Sequence, residues 1–390
     1  MTTRIADPAA TAVPRFDVLP PLSLYIHVPW CVRKCPYCDF NSHEARGDLP
    51  EDAYVAALLR DLESALPQVW GRPVLTIFIG GGTPSLFSVR ALDALLSGVR
   101  ALLPVAADAE ITLEANPGTA EAEKFAGFRA AGVNRLSLGI QSFNDCHLQA
   151  LGRIHDGSEA RRAAELALAT FDNVNLDLMY GLPAQDIAAA ESDIAAAIAL
   201  SPAHISAYHL TLEPNTYFHR YPPALPDDDT AAQMQQAIES QLAGTGYHHY
   251  ETSAFAQQGR RSRHNLNYWM FGDYVGIGAG AHGKISFKNN ILRETRPRQP
   301  KAYLERAGVA SSNEVPPGDL PGEFMMNALR LNEGFELALF SARTGLPLTA
   351  VLSRLDQAES RGLITRDHQH VVPTELGRRF LNDLIGIFLD

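Results

Sequence analysis

Residues 27–40, HVPWCVRKCPYCDF, contain three of the four cysteines in this chain of 390 residues. Cys31, Cys35 and Cys38 follow a C-x3-C-x2-C spacing, whereas Cys146 lies far from them in the sequence. Thiolates are soft ligands that select zinc, copper or iron–sulfur clusters. A [4Fe–4S] cluster ligated only by protein uses four thiolates, so three cysteines would leave one iron open to another group.

A structural zinc site is the alternative interpretation of these cysteines. Zinc in such sites has four ligands, commonly arranged as two well-separated cysteine pairs. His27 and His43 lie close to the cysteines in the sequence, and either one could complete a Cys3His site. The close spacing of the cysteines, together with the strand pattern described below, favours the cluster.

Composition and charge narrow the class of protein. The chain is 46% hydrophobic and 20% charged, which is typical of soluble globular proteins. The sequence predicts neither a membrane span nor a signal peptide. Clustered cysteines without an export signal therefore predict a reducing, cytoplasmic setting. The net charge of −11 argues against general binding to nucleic acid or to an anionic membrane surface.

Short apolar strands alternate with amphipathic helices through the first two-thirds of the chain. This alternation predicts βα units and a parallel sheet. Six units are two fewer than a complete eightfold barrel, so the expected fold class is α/β, with an incomplete (β/α)6 barrel. The predicted strands are 22–28, 74–80, 110–116, 134–140, 173–180 and 204–212, and the predicted helices are 51–66, 87–102, 119–131, 157–171, 185–199 and 228–243.

Polar or glycine-rich residues occur at the end of each predicted strand. The carboxyl ends of parallel strands meet at one edge, where ligand sites collect, so a shared site is expected there. Each residue taken alone could instead be a solvated strand end or a helix cap. The residues concerned are His27 with the cysteine loop, Gly80–Thr83, Glu114, Asn116, Gln141, Asp177 and Glu213.

The predicted domains follow from changes in composition along the chain. Residues 1–20 are predicted to be a disordered tail, 21–245 the partial barrel and 246–300 a β-rich extension. Residues 301–390 are predicted to form a mostly helical, winged-helix-like C-terminal domain. A nucleic-acid binder acting through that domain is one rival function, and it is disfavoured because the basic residues there alternate with acidic ones.

The cysteine spacing after a first barrel strand, with Tyr37 just before the last cysteine, resembles the radical S-adenosylmethionine (SAM) superfamily. Within it, the chain resembles the oxygen-independent coproporphyrinogen III oxidase family. The matching segments lie between about 22 and 284 and are LYIHVPWC, FIGGGTPS, LEANPGT, RLSLGIQSFN, LGRIH, LDLMYGLP and GIGAGAHG. The resemblance implies a [4Fe–4S] cluster on Cys31, Cys35 and Cys38, with the amino and carboxylate groups of SAM on the open iron. In active members, the reduced cluster cleaves SAM to a 5′-deoxyadenosyl radical.

The same resemblance implies which residues contact SAM. Gly81, Gly82 and Thr83 would receive its amino group and backbone, because glycine permits a close approach. Glu114 would accept bonds from the ligand's hydroxyls or amino group. GAGAHG (278–283) matches the dinucleotide-binding pattern, but a predicted strand follows it instead of a helix, so that interpretation is rejected. The implied SAM contacts are Tyr25, Tyr37, Gly81, Gly82, Thr83, Glu114, Gln141, Arg153, Asp177 and His282, some of them to a second SAM.

Two features imply the haem-chaperone branch of this family rather than its oxidase. The oxidase pattern has a further cysteine two positions after the triad, where this chain has Phe40. HNLNYW (264–269) matches an H-N-x-x-Y-W motif that is linked to haem binding in the chaperone branch. His264 would contact haem as an axial ligand, since imidazole commonly ligates haem iron. Tyr268 and Trp269 would offer flat faces to the macrocycle.

The expected function is therefore that of a haem chaperone, which binds haem and a SAM-ligated cluster and transfers haem to acceptor haemoproteins. The candidate acceptors include membrane-associated respiratory enzymes, and a homodimer is a candidate assembly. No nucleic-acid partner is expected. The main rival is an enzyme, the oxidase that decarboxylates coproporphyrinogen III to protoporphyrinogen IX in porphyrin biosynthesis, so enzymatic activity is left open.

Overall fold

The computed structural model describes residues 13–119 and 122–389. The first part of the chain contains strands β1 (Leu22–Val28), β2 (Trp30–Cys31), β3 (His43–Glu44), β4 (Val74–Gly81), β5 (Val105–Ala115), β6 (Arg135–Gln141), β7 (Val174–Tyr180) and β8 (His204–His209). The helices among and after these strands are α1 (Glu51–Val69), α2 (Val89–Leu102), α3 (Ala122–Ala131), α4 (Asp145–Ala150), α5 (Gly157–Thr170), α6 (Ile187–Leu200), α7 (Tyr217–Arg220) and α8 (Asp228–Ala243).

The second part of the chain extends the sheet and then forms a separate small unit. The extension comprises β9 (His248–Glu251), β10 (Ala254–Ala256), α9 (Arg263–Trp269), β11 (Asp273–Ile277), β12 (His282–Ser286), β13 (Ile291–Thr295), α10 (Pro300–Glu305) and β14 (Ser311–Glu314). The C-terminal unit comprises α11 (Leu320–Ala328), β15 (Phe335–Glu336), α12 (Leu337–Thr344), α13 (Leu352–Ser360), β16 (Ile364–Arg366), β17 (His370–Pro373), α14 (Glu375–Arg379) and α15 (Leu381–Leu389).

A 12-stranded sheet has the order β14-β13-β12-β11-β1-β4-β5-β6-β7-β8-β10-β9. Neighbouring strands from β11 to β8 are parallel, and antiparallel strands continue the sheet at both ends. This arrangement agrees with the predicted incomplete barrel. The prediction did not include β11, which joins the sheet parallel to β1 and so widens the barrel by one strand.

The central strands are apolar on their outer face and polar on their inner face. In β1, Leu22, Leu24, Ile26 and Val28 belong to the core packed beneath the helices, whereas Ser23, Tyr25 and His27 alternate with them. The pattern repeats in β6, where Leu136, Leu138 and Ile140 join that core. Because side chains alternate between the two faces of a strand, the polar residues point into the barrel lumen. The lumen is therefore lined largely by polar side chains.

Two segments differ from their predicted structure. β5 begins at Val105, five residues before the predicted strand, because a register shift between Val74 and Thr76 of β4 lets the pairing continue. The HNLNYW motif forms helix α9 inside the predicted β-rich segment. The Ser262 side chain accepts a hydrogen bond from the backbone N–H of Asn265, which caps this helix.

The predicted tail, residues 1–20, lies partly outside the described residues. Residues 13–20 differ from the expected disorder, because Phe16 is buried in the core of the C-terminal unit. The backbone N–H of Arg15 donates to the carbonyl of Gly345, and that of Phe16 donates to the carbonyl of Lys288. This segment therefore ties the C-terminal unit to the β12–β13 hairpin.

The C-terminal unit has its own core around Phe324, Phe340, Leu355 and Phe388. Its small antiparallel sheet has the order β15-β17-β16; β15 precedes helices α12 and α13, and the β16–β17 hairpin follows them. A helix pair followed by a β-hairpin agrees with the predicted winged-helix-like fold. None of the helices in the described part of the chain has the length and hydropathy needed to cross a membrane.

A buried ionic network joins α1 to the end of β13. Asp61 and Arg296 have fully buried side chains, with 3.1 Å between Arg296 Nε and Asp61 Oδ1. The Asp61 carboxylate also accepts hydrogen bonds from the Tyr303 hydroxyl and from the backbone N–H of Gly278. Burial raises the pKa of Asp61, and Arg296 and Tyr303 offset part of that rise. The network holds the loop that leads to β12.

Candidate functional site

The cysteine loop lies at the carboxyl end of β1, where the short strands β2 and β3 close it. These strands pair in parallel, with Trp30 beside His43 and Cys31 beside Glu44. Asn41 anchors the loop from outside, because its amide donates to the carbonyls of Ala279 and Arg298, both at 2.9 Å. The loop is therefore fixed to the chain that precedes β12 and to the chain that follows β13.

The three predicted cluster ligands line one cavity, and each has a polar group near its sulfur. Arg153 Nη1 lies 3.6 Å from Cys35 Sγ, and the Ser42 hydroxyl lies 3.7 Å from Cys38 Sγ. Cys31 is hydrogen-bonded to the Thr83 side chain, although burial raises the pKa of its thiol. Such donors stabilise thiolates, and coordination to a metal deprotonates a thiol outright. The donor set thus fits a cluster bound through thiolates.

The described side chains do not provide a fourth ligand that would complete a zinc site with the cysteines. Within residues 13–119 and 122–389, no three histidine, cysteine, aspartate or glutamate side chains converge on a point that could hold a single metal ion. His27 Nε2 donates to the Asn41 carbonyl at 2.9 Å, so His27 Nδ1 accepts from the Tyr25 hydroxyl at 2.8 Å. Both ring nitrogens of His27 are therefore engaged. A four-iron cluster places its ligands on different irons, so its thiolates need not converge.

Gly81 and Gly82 form a glycine ridge at the carboxyl end of β4, and this ridge packs tightly against the cysteine loop. The backbone N–H groups of Gly82 and Thr83 donate to the carbonyls of Val28 and Trp30, both at 2.7 Å. A Cβ on Gly81, whose φ is +115°, would lie 2.5 Å from the His27 ring, and one on Gly82 would lie 2.5 Å from the Trp30 carbonyl oxygen. Glycine is thus required here by contact between two protein loops, whatever ligand lies above them.

A cavity of about 370 Å3 at the barrel mouth brings together most of the predicted SAM contacts. The Arg153 guanidinium connects its walls, because it donates to the Gly139 carbonyl at 2.8 Å and to the Asn116 side chain. Asn116, which was not among the predicted contacts, also donates to Thr83 Oγ1. The predicted SAM residues that line this cavity are Tyr37, Gly81, Gly82, Thr83, Glu114, Gln141, Arg153 and Asp177.

Glu114 is the acid best placed to meet a cationic or hydroxyl-bearing ligand in this cavity. Its Oε2 atom accepts from the backbone N–H of Gly81 at 3.0 Å. Burial, reinforced by the neighbouring Asp177, raises the pKa of Glu114 to about 7. The carboxyl is therefore close to half-protonated at neutral pH, and an ammonium or hydroxyl donor beside it would favour the carboxylate.

The raised pKa of Glu114 predicts a specific dependence of stability on pH. Between the ordinary glutamate pKa of 4.5 and the folded-state value of about 7, the folded protein holds a proton that the unfolded chain releases. The free energy of unfolding should therefore fall by about 3 kcal/mol as the pH rises through this interval. Glu114→Gln should remove that part of the slope, measured by urea unfolding of the apo protein from pH 4.5 to 8.

Glu213→Gln, in the lining of the same cavity, is the matched control and should keep the wild-type slope. Equal slopes in the wild type and in Glu114→Gln would contradict the assignment of this pH dependence to Glu114.

A second, larger cavity of about 660 Å3 adjoins the first. The two cavities share Asp39, Phe40, Gly81 and Glu114 in their linings. Tyr25 and His282, which were predicted to contact SAM, line the larger cavity instead of the smaller one. Tyr268 and Trp269, predicted to contact haem, also line the larger cavity.

His264 is placed differently from its predicted role as a haem-iron ligand. It is buried in the lumen, 1% exposed, and is not among the residues that line the larger cavity. The Thr76 hydroxyl donates to Ser23, so it accepts from His264 Nδ1 at 2.7 Å. His264 Nε2 then accepts from the Tyr268 hydroxyl at 2.9 Å. Both ring nitrogens are occupied, and burial lowers the pKa of His264 to about 3.

Comparisons with known proteins agree with this architecture. Residues 25–195 match the Radical SAM superfamily, and residues 315–380 match the HemN C-terminal domain. The protein named heme chaperone HemW in Escherichia coli is 52% identical over 373 residues, which is 95% of this chain and 99% of that protein. The chain belongs to the HemW family. HemW proteins of Haemophilus influenzae and Bacillus subtilis are 48% and 35% identical, covering 95% and 94% of this chain and 98% and 99% of theirs.

The fold of this HemW family member also matches a solved structure. Coproporphyrinogen III oxidase (HemN) from Escherichia coli superposes with a TM-score of 0.80 at 22% identity, covering 98% of this chain and 92% of the oxidase chain. At this identity, the similarity concerns the fold alone. It confirms the predicted α/β fold, and the superfamily match confirms the predicted [4Fe–4S] cluster and SAM. Cys31, Cys35 and Cys38 would hold the cluster, which would supply electrons to SAM beside the glycine ridge.

Sequence reasoning missed Asn41 and did not predict the linking role of Asn116, although it placed Asn116 at the shared site. Asn41 ties the cysteine loop to the segment before β12, and Asn116 joins Thr83 to Arg153. Asn116 lies at a strand end and was noted as polar, but its role as a link depends on contacts across the barrel. Asn41 follows Phe40 directly, and no sequence pattern indicates that its partners lie more than 200 residues away.

Proposed function

We propose that this chain is a haem chaperone, which binds haem beside a SAM-ligated [4Fe–4S] cluster and delivers the haem to acceptor haemoproteins. The observation that carries the proposal is the near full-length similarity to proteins named heme chaperones. The larger cavity supports it, because about 660 Å3 falls in the range typical of cofactor-sized ligands. Tyr268 and Trp269 in its lining would offer aromatic faces to a macrocycle.

The oxidase remains the second candidate because its fold is shared. Phe40 weighs against it: the side chain is 61% exposed and lies in the linings of both cavities, where the oxidase pattern has a further cysteine. A phenyl ring can neither ligate a metal nor exchange a proton or an electron as a thiol does. Phe40 therefore disfavours oxidase chemistry at this position beside the cysteine loop.

The setting and partners form part of the same proposal. We infer a cytoplasmic location, because clustered free thiols persist in a reducing compartment. Membrane-associated respiratory enzymes are proposed acceptors because they require haem, and a homodimer is the proposed assembly. The net charge of −11 supports protein acceptors over nucleic acid.

Haem titration of the reconstituted protein tests the proposal. Saturable binding, seen in the haem absorption spectrum, is expected, followed by transfer to a haem-depleted respiratory enzyme. The same sample is incubated with SAM, a reductant and coproporphyrinogen III, and no protoporphyrinogen IX is expected. Formation of that product without saturable haem binding would replace the chaperone with the oxidase.

A further inference from the structure

A haem in the larger cavity needs an iron ligand, and most candidates there are already engaged. His27 has both ring nitrogens hydrogen-bonded, and the Tyr25 hydroxyl is bonded to it. The Tyr268 hydroxyl donates to His264, and the Tyr274 hydroxyl accepts from Arg293 at 2.9 Å.

The amine in the cavity lining is engaged as well. Lys284 is buried and donates to Asp273 Oδ1 at 3.0 Å and to the Phe271 carbonyl at 3.1 Å. Of the imidazole, phenol and amine groups in the described lining, the His282 ring alone makes no hydrogen bond to a described residue.

His282 has the position and exposure that an iron ligand requires. It is the first residue of β12, where pairing with Thr295 of β13 fixes its backbone. Its side chain is exposed at the cavity, whereas the next residues of the strand are buried. A ligand on a paired strand is held more rigidly than one on a loop, which favours a defined iron site.

Resting on the haem-chaperone function proposed above, we propose that the His282 imidazole ligates the haem iron in the larger cavity and that Arg298 binds a haem propionate. The macrocycle then lies against Tyr268 and Trp269. His264 acts behind this wall, because its bond to the Tyr268 hydroxyl fixes the orientation of the phenol ring. His264 is thus a positioning residue in this arrangement.

Charge around the cavity is consistent with this arrangement. Burial lowers the pKa of His282, and the positive charges of Arg293 and Arg298 lower it further, so the imidazole is neutral and able to donate a lone pair near pH 7. Arg293 is bound to Glu323 and Tyr274. The exposed Arg298 forms no ion pair with a described residue, which leaves its guanidinium available to a carboxylate.

Haem titration of the full-length, cluster-reconstituted protein tests His282 as the ligand. His282→Ala should weaken haem affinity about tenfold or more and change the haem spectrum, and added imidazole should restore the wild-type spectrum. His368→Ala, at an exposed site between β16 and β17, is the matched control and should leave both unchanged. Wild-type affinity and spectrum in His282→Ala would overturn the assignment.

The propionate contact has its own test. Arg298→Ala should weaken haem binding about threefold, because a partly exposed charge pair contributes modestly, and should leave the affinity for haem dimethyl ester unchanged. Equal loss with the ester would rule out the propionate contact.

Failure of the proposed function and failure of the His282 site can be told apart. A wild-type protein that binds no haem refutes the proposed function. A wild-type protein that binds haem, alongside a His282→Ala variant with unaltered binding, refutes only this site.

Discussion

Cys38→Ser should abolish the iron–sulfur cluster, so that iron, acid-labile sulfide and the broad visible absorption of the reconstituted protein all fall to background. Cys31, Cys35 and Cys38 are the cysteines that line the smaller cavity, so the cluster has no spare thiolate to recruit there. A serine hydroxyl stays protonated near neutral pH and is a hard ligand that suits iron–sulfur chemistry poorly. The variant should therefore lose the cluster completely rather than hold it at reduced occupancy.

Cys146→Ser provides the matched control within the same chain. Cys146 is an exposed free cysteine at the start of α4 and does not line either cavity. Iron and sulfide content should equal the wild-type values in this variant. SAM binding, followed by equilibrium dialysis, should fall in Cys38→Ser and persist in Cys146→Ser. If Cys38→Ser kept a full complement of iron and sulfide, the three-cysteine cluster would be wrong.

Arg296→Met should lower the free energy of unfolding by about 3–5 kcal/mol, because it leaves Asp61 buried without its cation. The two side chains are fully buried, and methionine keeps much of the arginine volume while removing the charge. Asp61 also holds the backbone N–H of Gly278, so the loop before β12 should loosen. Urea unfolding of the apo protein measures the loss.

Two further variants separate charge from packing in this network. Asp61→Asn combined with Arg296→Met removes both charges of this pair, so it should recover the part of the lost stability that comes from Asp61; the part from Glu294, which Arg296 also binds at 2.8 Å, should stay lost. Arg90→Met breaks the exposed pair between Arg90 and Asp52 and should leave the urea midpoint unchanged within error. A single Arg296→Met variant as stable as the wild type would contradict the stabilising role assigned to this pair.

The sequence was sufficient to predict the barrel and the cluster loop, because both follow from local patterns. Leu22, Leu24 and Ile26 belong to the first of the short apolar strands whose alternation with amphipathic helices indicates a parallel sheet. The cysteine spacing is likewise local. Thr76, which accepts a hydrogen bond from His264, lies 188 residues before it, so no local pattern could show that α9 enters the lumen.

The division of the site into two cavities could not be predicted for a related reason. His282 follows a glycine-rich loop that resembles a SAM contact, yet the loop's position is set by Asn41 and by Asp61, both far away in the sequence. The role predicted for His264 as an iron ligand was based on the HNLNYW motif and on the ability of imidazole to ligate haem iron. The contacts of its two ring nitrogens, which decide its availability, depend on Thr76 and Tyr268.

The wall shared by the two cavities has a thermodynamic consequence. Asp39, Phe40, Gly81 and Glu114 face both spaces, so a ligand that shifts any of them changes the free energy of binding on the other side. Linkage makes such an effect reciprocal: if SAM alters haem affinity by a given factor, haem alters SAM affinity by the same factor. The Phe40 side chain is largely exposed, so it can move with little loss of buried contact. Haem loading and haem release would then respond to SAM bound at the cluster, without any rearrangement of the barrel.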